Sequence, residues 1–137
     1  MARGEKDKNI AVFCGTGRRK CAVASVVICS GTGKFDVNGR ALAEFCSLDD
    51  AERRLLAPLV AAGKIDSVDV AAKTSGGGIS GQIGAISLGL ARSLEKMDPD
   101  LRAPLKKEGL LTRDSRIRER KKPGRPGARK RFQFSKR

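Results

Sequence analysis

The sequence predicts a two-layer α+β domain, a sheet covered on one side by helices, with a long extended basic C-terminal arm. Three observations lead there. Val- and Ile-rich runs at 10–30, 34–37 and 65–74 read as strands. Residues 80–97 repeat their apolar positions at helical spacing. The last twenty-six residues carry too little apolar surface to offset their own chain entropy by packing. The order β-β-α-(α)-β-α-(α)-β gives the two-layer arrangement.

Each element has its own signal. The first strand region is IAVFC at 10–14, a polar interruption GTGRRK at 15–20, then CAVASVVICS at 21–30. Gly31-Thr32-Gly33 is a turn, and Lys34-Phe35-Asp36-Val37 is a second strand. Asn38-Gly39 supplies residues that tolerate positive φ in a hairpin. Residues 41–45 read as one helical turn. Asp49-Asp50 caps a helix running through Arg54 and Leu56 to Ala62, and Gly63 stops it. Pro58 either starts a shorter helix there or kinks a longer one. Val68 and Val70 face one way in the third strand, within 65–74. The helix at 80–97 sets Ile79, Ile83, Ile86, Leu90, Leu94 and Met97 on one face. Its glycines 81, 84 and 89 each cost about 1 kcal/mol in a helix interior, which implies a close backbone approach to a sheet or to RNA. Asp98-Pro99 opens a short helix through Lys107 that ends at Gly109, and 116–121 reads as a last strand.

Composition narrows the function. The 137 residues include no His, Trp or Tyr and only five Phe, so the core is aliphatic. No run of apolar residues is long enough to span a membrane, and the basic start has no apolar stretch behind it of the secretory kind. Cys14, Cys21, Cys29 and Cys46 match no metal-ligand spacing and have no His to complete a site. They read as buried, reduced thiols in a reducing compartment. The chain divides into a flexible start at 1–9, a globular body at 10–122 and the extended arm at 123–137.

Residues 112–137 hold twelve Lys/Arg against two acids, a local charge of +10 out of +14 for the chain. Pro123-Gly124 and Pro126-Gly127 stop any helix from running through. Fifteen extended residues reach about 50 Å. Arginine, the commonest cation there, suits bidentate phosphate contacts, and Phe132 and Phe134 between cations suit stacking on unpaired bases. Polyanion binding follows. Gly15-Thr16-Gly17-Arg18-Arg19-Lys20 reads equally as a basic surface turn or as a loop where glycines let phosphate approach three cations. Gly76, Gly77 and Gly78, with Gln82, precede a helix N-terminus, a place for an oxyanion or simply a tight turn. The loop lacks the Gly-Lys-Ser/Thr ending of a P-loop and the dinucleotide fingerprint. With no histidine and with acids placed at helix caps, catalysis has no machinery, and no cofactor or metal is expected.

Three stretches in this order, GTGRRK-x-A at 15–22, GGGISGQ-x-GAI at 76–86 and LTRDSRIRERKKPG…ARKR…QFSKR at 111–137, resemble the family of the ninth protein of the small ribosomal subunit, in its bacterial form. GKFDVNGR at 33–40 and DLRAPLKKEG at 100–109 add to the likeness, and Phe132 stands where many relatives carry proline. The resemblance implies a β-α-β domain with a left-handed crossover, similar to domain 2 of the fifth small-subunit ribosomal protein. It further implies a cytoplasmic location in the subunit head, on the 3′ major domain of the ribosomal RNA, beside other head proteins. On that reading Arg18, Arg19, Lys20, Arg118, Arg120, Lys121 and Lys122 take ribosomal RNA phosphates. So do Arg125, Arg129, Lys130 and Arg131. Ser135, Lys136 and Arg137 reach the anticodon stem-loop of tRNA in the peptidyl site. The rival readings are a DNA-compacting basic protein and a nucleotide-binding enzyme of the kinase fold that shares this topology.

Overall fold

The computed structural model describes residues 11–46 and 50–136. The expected strand start at Ile10, the loose residues 1–9, the cap at Asp49 and the terminal Arg137 lie outside the described residues. Strands β1 (Val12–Arg19) and β2 (Ala22–Ser30) form an antiparallel hairpin in which Arg19 pairs with Ala22. The turn is therefore residues 20 and 21, with Lys20 at φ 52°. This corrects the reading of GTGRRK as an interruption between strands, because its first five residues belong to β1. The polar look has a structural cause. Phe13, Gly15 and Gly17 face the core from β1, so within GTGRR the strand turns no apolar side chain inward.

A short pair follows, β3 (Phe35–Val37) and β4 (Arg40–Ala41), joined by Asn38 and Gly39 at φ 53° and 76°. Both turn residues are left-handed, as the tightest hairpin requires. Helix α1 (Leu42–Phe45) is one turn, and α2 (Ala51–Ala62) continues through a buried Pro58 as a single helix. Gly63, at φ 62°, caps it, and the N–H of Lys64 bonds back to Leu59 O at 3.0 Å. Strand β5 (Val68–Ser75) returns to the sheet, and α3 (Ile79–Met97) crosses it. A 3-10 turn (Pro99–Leu101) and α4 (Arg102–Lys107) close the body. The sheet order is β1-β2-β5-β3-β4, with β3 parallel to β5 and every other pair antiparallel.

One face of the sheet is buried. On β2, Ala22, Ala24, Val26 and Ile28 point into the core, and Val68, Val70 and Ala72 do so on β5. The period-2 alternation sends Cys14 and Cys29 to the other face. The expectation of buried cysteines is thus corrected: Cys14 and Cys21 are exposed, Cys29 and Cys46 half-buried, and all four are free.

Helix α3 buries ten of its residues because it lies between the sheet and α2. Ile83, Ile86, Leu90 and Leu94 sit in the core with Leu55 and Leu59 of α2 and Leu105 of α4. Ile79, at the helix start, stays 45% exposed. The glycines of α3 serve the protein's own packing. Gly89 lies against Val26 and the backbone of Gly17, and a Cβ on Gly17 would stand 1.9 Å from Ala85 O. Here β1 and α3 touch backbone to backbone. The strand expected at 116–121 is absent, and residues 113–136 carry no helix or strand. Arginines 116, 118 and 120 alternate with Ile117, Glu119 and Lys121, so neither face offers a sheet enough apolar surface. Leu110 and Leu111 are the last residues packed on the core.

Candidate nucleic-acid interface

The two glycine motifs meet in space. Gly76 and Gly77 adopt φ 72° and 63°, and the loop bends directly over the β1–β2 turn: a Cβ on Gly76 would lie 2.6 Å from Cys21 O. Gln82 Nε2 donates to Gly76 O at 3.1 Å, so this side chain braces its own loop. Asn38 fastens the same end of the sheet, accepting from Thr74 N at 2.9 Å and donating to Thr74 O at 3.2 Å. Gly78 begins α3 with no side-chain cap, and its carbonyl accepts from the N–H groups of Gly81 and Gln82. Gly76 and Gly77 are explained by the hairpin beneath the bend, whereas a Cβ on Gly78 would meet nothing.

The three cations of the hairpin tip part company. Arg18 and Lys20 are exposed, whereas Arg19 turns inward and lies across α3 at Gly84. A Cβ on Gly84 would sit 2.3 Å from Arg19 Cδ, so a side chain there would push the guanidinium aside. Arg19 Nη2 donates to Asp114 Oδ2 at 3.0 Å, and Asp114 also accepts from Arg116 Nη2, Nε and backbone N, each at 3.0 Å. This ion cluster closes a cleft of about 310 Å³ lined by Arg54, Ser87, Thr112 and Arg116 among others. The side-chain and backbone bonds from Arg116, with the charge of Arg19 behind them, hold the Asp114 carboxyl well below the usual carboxylate range. Asp114 thus ties the root of the C-terminal segment to the end of β1.

Beyond that root the segment is exposed. Lys122 Nζ and Arg129 Nε donate to the two oxygens of Glu119 at 3.0 and 2.9 Å, and these bonds lower the Glu119 pKa. Residues 119–129 therefore fold into a loop around one carboxylate instead of running straight, with both Pro-Gly pairs inside the bend. Among the described residues, Arg118, Arg120, Lys121, Arg125, Lys130, Arg131 and Lys136 meet no carboxylate. Phe132 and Phe134 are 69% and 86% exposed. Both rings lie beside Lys130, Arg131 and Lys136, which meet no carboxylate among the described residues. Ser135 and Lys136 are exposed at the tip.

Residues 17–137 match the family described as ribosomal protein S9/S16. The chain belongs to that family. The match runs from inside the hairpin motif through the glycine loop to the end of the basic segment, and ribosomal protein S9/S16 is a structural family, not an enzymatic one. Among relatives, the chain is 50% identical over 121 residues to small ribosomal subunit protein uS9 of Anaeromyxobacter sp. (strain K), covering 88% of this chain and 93% of that one. It is 47% identical over 137 residues, the full length of both, to uS9 of Rhodopirellula baltica. It is 56% identical over 124 residues to uS9c of Spinacia oleracea, 90% of this chain but only 60% of the spinach protein.

Sequence reasoning missed three residues of this surface. Asp114 looked like one acid lost among cations, and only the fold brings it to Arg19. Arg92 and Lys96 lie four apart on α3, a spacing that puts them on one helix face. Nothing in the sequence says that this face meets the free edge of β1. There, Arg92 Nη1 donates to Thr16 O and Lys96 Nζ to Cys14 O, each at 2.7 Å.

Proposed function

We propose that this chain is a structural constituent of the small ribosomal subunit head in the cytoplasm. In this reading the body is the family's β-α-β unit with a left-handed crossover from β3 to β5. It docks on the 3′ major domain of the ribosomal RNA beside other head proteins. The exposed hairpin cations Arg18 and Lys20 take phosphates, while Arg19 serves chiefly to hold Asp114. Gly76, Gly77 and Gly78 with Gln82 shape the loop over the hairpin, and a ribosomal RNA phosphate fits against its outer side. The basic segment is the arm. Its cations at 118, 120–122, 125 and 129–131 neutralise phosphates that RNA folding has crowded together, and Ser135, Lys136 and Arg137 meet the anticodon stem-loop of peptidyl-site tRNA.

The observation that carries this reading is the C-terminal segment itself, where most of the described cations are exposed and Arg118, Arg120, Lys121, Lys130, Arg131 and Lys136 meet no carboxylate among the described residues, at the end of a well-packed body. Neutralising each phosphate releases condensed counterions, which makes binding steeply salt-dependent. The loop around Glu119 exchanges one carboxylate for many phosphates when RNA arrives, so it opens at little cost. Deleting Lys136 and Arg137 is expected to speed tRNA dissociation from the peptidyl site while subunits still assemble. Unchanged dissociation would remove the tip from the tRNA contact.

A further inference from the structure

Among the described residues, strand β1 is an edge of the sheet, paired with β2 alone. The carbonyls of Cys14 and Thr16 point away from β2, since Lys96 Nζ and Arg92 Nη1 reach them from α3 at 2.7 Å. In an antiparallel strand the N–H and C=O of one residue point the same way. The N–H groups of Cys14 and Thr16 therefore also face outward, with those of Val12 and Arg18 in the same phase. An ordinary free edge offers donors and acceptors in turn, which is a template for another strand. Here cations already occupy the two central acceptors. What is left is a row of backbone donors about 6.6 Å apart, two residues along a strand, flanked by the exposed side chains of Arg18, Arg92 and Lys96. The nearby acid, Glu95, is committed to Arg102 across a cleft beside Pro99.

We propose that the free edge of β1 seats the sugar-phosphate backbone of ribosomal RNA. The backbone N–H groups of Cys14 and Thr16, with Arg18, Arg92 and Lys96, are its donors. This rests on the ribosomal RNA reading above and adds to it a second contact surface, carried by the body and not by the C-terminal segment. Charge decides the occupant. A polyanion gains from every exposed group on this edge, whereas an incoming protein strand finds its acceptors blocked and must displace two charged side chains to pair.

The exposed thiol of Cys14 marks the site. In assembled small subunits, the full chain with Cys21, Cys29 and Cys46 changed to Ser carries a photocrosslinker on Cys14. A second chain lacks all four native cysteines, carries Ser135→Cys and bears the same reagent at the arm tip. The expected result is crosslinking to ribosomal RNA from Cys14. Crosslinks from Cys14 to protein only, or none, while the Ser135→Cys probe reaches RNA, overturn the edge and leave the arm standing. Failure of both probes to reach RNA overturns the edge together with the reading it rests on. Independently, R92Q/K96Q in the full chain should flatten the slope of log K against log salt by about 1.4 to 1.8 for two lost contacts, at an unchanged melting temperature. An unchanged slope in that folded variant overturns the proposal.

Discussion

Asp114 shows how one side chain sets the direction of many. It is the acid among the described residues that links the C-terminal segment to the body, through Arg19, and it also fixes the backbone N–H of Arg116. Its folded pKa is depressed, so its contribution is fully present above the ordinary carboxylate value and is lost only as pH falls through the lower folded value. The clasp should therefore stay closed at pH 4, where most carboxylates begin to protonate, and open well below it. The Arg116 amide resonance, followed by NMR, should report this late transition. Asp114→Asn should abolish that transition and loosen residues 113–116 at neutral pH, with the body's melting temperature nearly unchanged. An Arg116 amide that titrates with the bulk of the carboxylates would show that no such clasp exists. Surface ion pairs add little to stability, so the consequence of this cluster lies in orientation.

At the scale of elements, the packing of β1 on α3 decides the fold. Gly15, Gly17 and Gly89 replace side chains with backbone contact. Gly17→Ala would drive a methyl into the Ala85 carbonyl, and backbone cannot turn aside as a flexible side chain can. Overpacking of this kind costs about 1–3 kcal/mol or more. A domain of this size then melts several degrees lower, which calorimetry measures, and an unshifted melting temperature would contradict the packing described. The same interface marks where the sequence was legible. Helix α3 announced itself because Ile83, Ile86, Leu90 and Leu94 form an apolar stripe, and Asn38-Gly39 announced its hairpin through positive φ. The GTGRR part of β1 stayed hidden, since a strand that packs through glycine has no inward apolar residue to count. The thiols misled for a related reason. Val-rich surroundings suggest burial, but only strand phase tells which face a residue takes, and Cys14 and Cys29 fall on the open one. The alternation at 116–121 looked like a strand in charge rather than in hydrophobicity, and charge alone does not hold a sheet.

Across the whole molecule, charge separates from packing. The first 111 residues carry +4 and hold the core, while the remaining twenty-six carry +10 and, among the described residues, contribute no buried hydrophobic one. That division was plain in the sequence because composition alone expresses it. The partners within the body were not, since Arg19–Asp114, Arg92–Thr16 and Lys96–Cys14 join residues 76 to 95 positions apart. On the proposed reading the body folds without residues 123–137, and those residues are neutralised from outside. Binding of a ribosomal RNA 3′ major-domain fragment, measured over a range of salt for the full chain and for a chain ending at Lys122, separates the two roles. Removing the six cations at 125, 129–131, 136 and 137 should leave a folded body whose slope of log K against log salt is shallower by about 4 to 5. Equal slopes for the two chains would mean that the basic segment meets no phosphate.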